Sequence, residues 1–194
     1  MIKQAVRLYG RSVLAGVLGT FIYLSIGVMV SVAVPRGDAL SGTASFLMNL
    51  ISLLLQGTIF FLFIYGALWS LGDKDANAVH FGHLQVTASR GFKIGCLASI
   101  PSMISFLVLV ADKLFLFWGK SAAAYRVCQV GLYPIVVWAM GPTAATTTAQ
   151  LSWGQVLCAG IPVLFLPIAA GISYYLGFKQ IVVADRMMFV NKKK

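Results

Sequence analysis

Long apolar runs dominate the pattern of this chain, and few polar stretches interrupt it between Ser12 and Gly177. A membrane-spanning helix needs about 20 mostly apolar residues, because each adds about 1.5 Å and the hydrocarbon layer is about 30 Å thick. Four runs are long enough, and they predict spans at about 12–34, 44–71, 92–118 and 155–178. A fifth run, 127–140, contains Gln129 and Pro134 and is too short, so it predicts a re-entrant or interfacial helix.

The distribution of basic residues predicts how the chain is threaded. The sequence has 15 Lys and Arg residues against 5 acidic residues, all of them Asp. Four crossings with both termini in the cytoplasm place 11 basic residues inside and 4 outside, whereas a fifth crossing would place 6 inside and 9 outside. Because cytoplasmic loops collect Lys and Arg, the even count is favoured. The prediction is an all-α integral membrane protein, one domain over 1–194, with a cytoplasmic loop at 72–91 and a basic tail at 179–194.

Composition supports a location in the plasma (inner) membrane. Hydrophobic residues make up 59% of the chain and charged residues 10%, too few to cover a water-soluble domain. The net charge of +10 is explained by positive cytoplasmic loops, so nucleic acid is not expected as a partner. The apolar run 12–34 has 23 residues, longer than the roughly 7–15 of a secretory signal, and predicts an uncleaved first span.

Small and polar residues recur at helical spacing in three predicted spans. Such residues let helices approach closely and hydrogen-bond to each other. On the first span the set is Gly16, Thr20, Tyr23 and Gly27; on the second it is Ser45, Asn49, Ser52 and Gln56; on the fourth it is Ala169, Ser173 and Gly177. Helix packing is the favoured interpretation, and a polar path for a solute is the alternative. Pro101, Pro162 and Pro167 predict bends in the third and fourth spans.

The predicted cytoplasmic loop contains the candidate metal ligands. They are Asp73, Asp75, His80 and His83. The opening Asp-x-Asp-x-Asn resembles a calcium loop, but Ala78 and Leu84 stand where that motif needs Gly and Glu. A solvated loop that begins with a helix-ending turn at Gly72 is therefore favoured, and no metal or cofactor is predicted.

Charged residues near the membrane surface have separate interpretations. Those expected to contact anionic headgroups of the inner leaflet are Arg90, Lys93, Lys179, Arg186, Lys192, Lys193 and Lys194. Asp112 is the one acid near a span interior, six residues before Trp118, or just beyond the span if the helix ends near Val110. Its shallow depth favours a structural role over proton coupling.

One segment carries a resemblance. Gly72-Asp73-Lys74-Asp75, Phe81-Gly82, Arg90-Gly91-Phe92-Lys93-Ile94-Gly95 and Ala98-Ser99-Ile100-Pro101 together resemble small multi-span membrane proteins of Gram-positive bacteria that have no assigned activity. The resemblance covers about residues 72–101 and implies a bacterial plasma membrane.

No hydrolase, zinc-protease or nucleotide-binding motif occurs in the sequence, so no catalytic residue is predicted. The expected function is a non-enzymatic accessory or assembly subunit of a membrane complex, associating with other membrane subunits or with itself. A small transporter or channel lined by the second and fourth spans is the alternative. A lipid-acting enzyme that uses His80 and His83 is the third.

Overall fold

The computed structural model describes residues 1–33, 42–83, 87–129, 132–141 and 147–181. Regular structure in these ranges is helical, with no strand among them. The α-helices are α1 (Ile2–Ala33), α2 (Gly42–His80), α3 (Arg90–Ala98), α4 (Ile100–Phe115), α5 (Ser121–Cys128), α6 (Tyr133–Met140), α7 (Trp153–Cys158) and α8 (Ile161–Phe178). A 3₁₀ turn at Thr148–Gln150 precedes α7.

The expectation of an all-helical chain with several helices able to cross a membrane is confirmed. Within the described ranges, three segments are long and apolar enough: Ile2–Met29, Asn49–His80 and Trp153–Phe178. A fourth is formed if α3 and α4, which meet at a 52° bend, are taken as one span.

The predicted loop 72–91 is helical in its first half. Helix α2 continues through Gly72 to His80, so Gly72 does not end a helix as the sequence pattern suggested. Its lack of a side chain serves packing, because a Cβ at Gly72 would collide with the Tyr174 carbonyl oxygen and lie 2.7 Å from the Phe178 nitrogen of α8. Helix α1 likewise begins ten residues before the predicted start of the first span, at Ile2.

The third predicted span is broken near Pro101. Helix α3 ends at Ala98, Ser99 joins the helices, and α4 begins with Pro101 in its first turn. Proline has no N–H to continue the hydrogen-bond ladder, which accounts for the break. Helix α4 ends at Phe115, with Leu116 in the left-handed conformation at φ 50°, between the two predicted ends of the span.

The short run 127–140 forms parts of two helices, where the sequence predicted one. Helix α5 ends at Cys128, and α6 begins at Tyr133 with Pro134 in its first turn. Each has 8 residues, about 12 Å of helix, which is too short to cross a bilayer. The buried residues of α6 are Pro134, Val136, Val137, Ala139 and Met140.

Helix α8 is central, packed against both α2 and α3. One apolar cluster joins α8 to the first three helices and includes Ile64, Ile94 and Tyr174. A second cluster, around Leu109 and Tyr125, joins α4, α5, α6 and α7. Glycines bring the backbones together: Cβ atoms at Gly91 and Gly95 of α3 would collide with Tyr174 and Ala170 of α8.

Candidate functional sites

Four helices meet at the buried carboxylate of Asp75. Arg90 donates from Nη1 to Asp75 Oδ2 at 2.8 Å, and the Tyr174 hydroxyl donates to the same oxygen at 2.7 Å. The second guanidinium nitrogen of Arg90 donates to Gln4 Oε1 at 3.5 Å. These contacts join the start of α1, the last turns of α2, the start of α3 and α8 at what we call the Asp75 end.

The candidate metal ligands are not brought together at the Asp75 end. Asp75 is in the ion pair, while Asp73 accepts a 3.3 Å hydrogen bond from Gln180. His80 and His83 are exposed, and the His80 ring lies edge-on against Phe81. Within the described ranges no three His, Cys, Asp or Glu residues form a group able to hold a metal.

The residues expected to contact headgroups divide into two sets. Lys93 and Lys179 are exposed at the Asp75 end, whereas Arg90 turns inward to Asp75 and its side chain is 23% exposed. The other predicted members, Arg186 and Lys192–Lys194, lie outside the described residues.

Helices α1 and α2 pack through part of the predicted stripes. Ser52 and Gln56 are buried, and a Cβ at Gly19 would lie 2.5 Å from Gln56 Cγ, so the amide side chain crosses directly over this glycine. Gly19 is not in the predicted stripe, which continues from Gly16 to Thr20, four residues later, and not to Gly19, three residues later. The Thr20 hydroxyl donates to its own helix, at the Gly16 carbonyl, at 2.9 Å.

Three other predicted residues of these stripes, Tyr23, Gly27 and Ser45, are not part of this α1–α2 contact as the structure describes it. Tyr23 contacts Tyr133 of α6, with ring centroids 5.6 Å apart. No atom of a described residue lies within 4 Å of a Cβ placed at Gly27, so this glycine marks no close approach within the described part of the chain. The side chain of Ser45 lies outside the described part of the chain.

The small face of α8 packs on α2. Ala169, Ser173 and Gly177 are all buried, and the Ser173 hydroxyl donates to the Ala169 carbonyl at 2.7 Å. A Cβ at Gly177 would collide with the Trp69 carbonyl oxygen of α2. Gly72 of α2 therefore packs against α8, and Gly177 of α8 packs against α2.

A small cavity with a mixed polar and apolar lining lies where several helix ends converge. Its polar lining includes Ser12 of α1, Ser102 in the first turn of α4 and Gln129 at the end of α5, and Pro162 of α8 borders it. Gln129 donates from Nε2 to the Ser102 carbonyl at 3.4 Å. The volume is about 40 Å³, room for a few water molecules, since the centre of one needs about 10–15 Å³. Pro167, the third predicted bend, lies inside α8 and against Gly95.

Asp112 organises the turn from α4 to α5. Its Oδ1 accepts from the backbone N–H groups of Trp118 at 2.8 Å and Gly119 at 2.9 Å, and its Oδ2 accepts from the Ser121 hydroxyl at 2.5 Å. Ser121 is also 2.9 Å from the Thr148 hydroxyl of the 3₁₀ turn. The carboxylate is fully buried and has several donors, which is the arrangement of a structural group.

Arg126 is a buried cation in the same region. Its Nη2 donates to the Met140 carbonyl at the end of α6 at 3.2 Å, and its Nη1 has no hydrogen-bond partner among the described residues. Burial lowers the pKa of the Arg126 guanidinium from its ordinary value. The cation faces the negative end of the α6 dipole, which partly offsets the cost of burying it.

A groove between α2 and α6 contains a polar group of a different kind. Its volume is about 230 Å³, and it is lined by Phe46, Asn49, Leu50, Leu53, Pro134 and Trp138. Asn49 is half-buried, and its side chain makes no hydrogen bond with a described residue. Trp138 is 66% exposed and Phe46 54%, so this Asn49 groove opens on the exterior of the bundle.

No protein-family model, curated protein or solved structure matches this chain.

Proposed function

We propose that this chain is a non-enzymatic multi-pass membrane protein that serves as an accessory or assembly subunit and receives a transmembrane helix of a partner subunit in the Asn49 groove. The observation that carries the proposal is the Asn49 amide, half-buried in an apolar groove and without a hydrogen-bond partner among the described residues.

An unpaired amide is costly beside lipid, because hydrocarbon offers it no hydrogen bond. A partner helix supplies both missing contributions: apolar side chains to fill the groove and a polar group to pair with Asn49. Interhelical hydrogen bonds of this kind contribute about 0.6–2 kcal/mol, and close packing contributes the rest. A lipid tail would fill the groove and leave the amide unpaired.

The second candidate is a small transporter or channel. The cavity beside the start of α4, which has Ser12, Ser102 and Gln129 in its lining, favours it, because broken helices next to polar side chains are typical of transporter sites. Against a path between the second and fourth spans, α2 and α8 touch through Gly72 and Gly177. The subunit role is therefore preferred.

The proposed threading has four crossings of a plasma membrane, with α3 and α4 as one bent span. Both termini are then on the cytoplasmic side. Among the described residues, the basic side chains at the Asp75 end are Lys3, Arg7, Arg11, Lys74, Arg90, Lys93 and Lys179. Those near Asp112 are Lys113, Lys120 and Arg126. This distribution supports a cytoplasmic Asp75 end, because cytoplasmic segments collect Lys and Arg.

Photo-crosslinking in native membranes tests the subunit proposal. A photoreactive residue at Leu50, on the wall of the Asn49 groove, should crosslink to a discrete membrane protein. One at Leu55, which is 44% exposed and five residues along α2 on a different face, should not. Asn49→Leu should reduce the Leu50 crosslink at least about fivefold, since it removes an interhelical hydrogen bond of about 1 kcal/mol.

The matched control is Thr58→Val, which removes an exposed hydroxyl of α2 that donates to its own helix at Leu54 and should leave the crosslink unchanged. A crosslink to a second copy of the chain would redirect the proposal to self-association. A lone monomer, with no crosslink from Leu50, would contradict it. Solute flux into proteoliposomes that is lost on Asn49→Leu or Gln56→Leu would establish the transporter instead.

A further inference from the structure

A second groove, at the Asp75 end, has the polarity of a phospholipid headgroup site. It lies between α1 and α2, has a volume of about 150 Å³, and is lined on its polar side by Gln4, Arg7, Ser70 and Lys74. Leu8 and Ala67 are among its apolar lining residues. We call it the Arg7–Lys74 groove.

The two cations of the groove have no acidic partner among the described residues. Among the described residues, the one ion pair at this end joins Arg90 to Asp75, and Arg90 also donates to Gln4 at the edge of the groove. Asp73 also turns away, toward Gln180 at the end of α8. Both acids near Lys74 are thus engaged with α3 and α8, and the side of α2 that faces α1 is left positive.

Polarity in the groove is graded along α2. On α2, Ala67 lies seven residues, about 10.5 Å, further into the bundle than Lys74, whereas on α1 the apolar Leu8 directly follows Arg7. A phospholipid has the same order, with a phosphate outside, then glycerol, then acyl chains. A free phosphate ion would contact the cations but would not contact the apolar residues of the groove.

We infer that the Arg7–Lys74 groove binds the phosphate of an anionic phospholipid, with the start of an acyl chain on Leu8 and Ala67. The site is independent of the proposed partner site, because Lys74 follows Asn49 by 25 residues on α2, about 38 Å at 1.5 Å per residue. It also differs from Lys93 and Lys179, which are exposed at the same end and do not line the groove.

Lipid retention measured by native mass spectrometry tests the inference. The full chain is reconstituted with equal phosphatidylglycerol and phosphatidylcholine, then extracted in mild detergent. We expect one phosphatidylglycerol to be retained per chain. Arg7→Gln with Lys74→Gln should lower that retention about thirtyfold, since each of the two basic residues near an anionic lipid contributes about 1 kcal/mol. The matched control, Lys93→Gln with Lys179→Gln, removes the same charge and should lower it by less than about a tenth of that factor, because neither residue lines the groove and so neither contacts the bound lipid.

An equal fall in both double variants would mean that charge alone attracts the lipid, and would overturn the site. Ala67→Phe, which fills the apolar floor, distinguishes lipid from free phosphate. It should displace phosphatidylglycerol without changing the binding of inorganic phosphate. If inorganic phosphate competes the lipid away at millimolar concentration and Ala67→Phe has no effect, the lipid assignment fails. Unchanged thermal unfolding of each variant confirms that it is folded.

Discussion

At the residue scale, two glycines set how closely the helices approach. Gly72 of α2 and Gly177 of α8 each lie against the other helix's backbone, at positions where a methyl group would collide with a carbonyl oxygen. A backbone cannot move aside as a flexible side chain can. The short distance between α2 and α8 therefore requires that both residues are glycine. The same distance allows the Tyr174 hydroxyl to reach Asp75.

Gly72→Ala or Gly177→Ala should force α2 and α8 apart and destabilise the protein by about 1–3 kcal/mol, the usual cost of overpacking. The matched controls are Gly57→Ala and Gly66→Ala on the same α2, where no atom of the described residues lies within 4 Å of the added Cβ. These should be neutral or stabilising by up to about 1 kcal/mol, because Ala is the better helix former. Thermal unfolding in detergent, followed by size-exclusion fluorescence, compares the four variants; equal stability in all of them would contradict the packing argument.

The sequence could predict that Gly177 faces a helix, but not that Gly72 does. Gly177 belongs to an apolar segment with small residues at regular spacing, a pattern that predicts packing on its own. Gly72 is followed by Asp73, Lys74 and Asp75, and such a polar stretch after an apolar run is typical of a helix end. Here Asp75 has a partner 15 residues away and another 99 residues away. Contacts at such separations leave no local signal, which is why α2 is longer than predicted.

At the element scale, the α4–α5 junction replaces a simple loop. Asp112 accepts hydrogen bonds from backbone groups six and seven residues later, which folds the chain back after α4 and starts α5 at Ser121. The shallow position of Asp112 in the predicted span is enough to favour a structural role from the sequence alone. The division of 127–140 into parts of α5 and α6 was not predictable from apolar length, because that length does not show where a segment packs.

Asp112→Ala should loosen this junction without unfolding the helices that pack on α8. The amides of Trp118 and Gly119 lose their acceptor, and hydrogen bonds to a charged group contribute about 1.5–3 kcal/mol each. We therefore expect hydrogen–deuterium exchange of residues 116–121 to accelerate about tenfold or more, with exchange in α8 unchanged. Lys120→Gln, an exposed change in the same turn, serves as the control. An unaltered exchange rate in the Asp112 variant would show that the carboxylate does not hold the turn.

At the scale of the whole molecule, contacts and charge both favour the proposed even number of crossings. Gln4 near the start of α1 contacts Arg90, Arg90 pairs with Asp75, and Gln180 after α8 contacts Asp73. The first and the last described residues therefore lie at the Asp75 end, where most of the described basic residues also lie. If α3 and α4 did not cross together as one bent span, the two ends of the chain would emerge on opposite sides of the membrane.

Cysteine labelling of intact cells decides between these threadings. In a chain whose Cys96, Cys128 and Cys158 are replaced by Ala, single cysteines are placed at the exposed positions Lys3, Thr147 and Lys179. Thr147→Cys should react with a membrane-impermeant maleimide from outside, while Lys3→Cys and Lys179→Cys should react only after permeabilisation. The Lys3–Lys179 pair reports on the bent span, because three crossings would place these two positions on opposite sides of the membrane. The Thr147–Lys179 pair reports on α7 with α8, the helices that connect those two positions, and labelling of both from one side would mean that this segment does not cross the membrane.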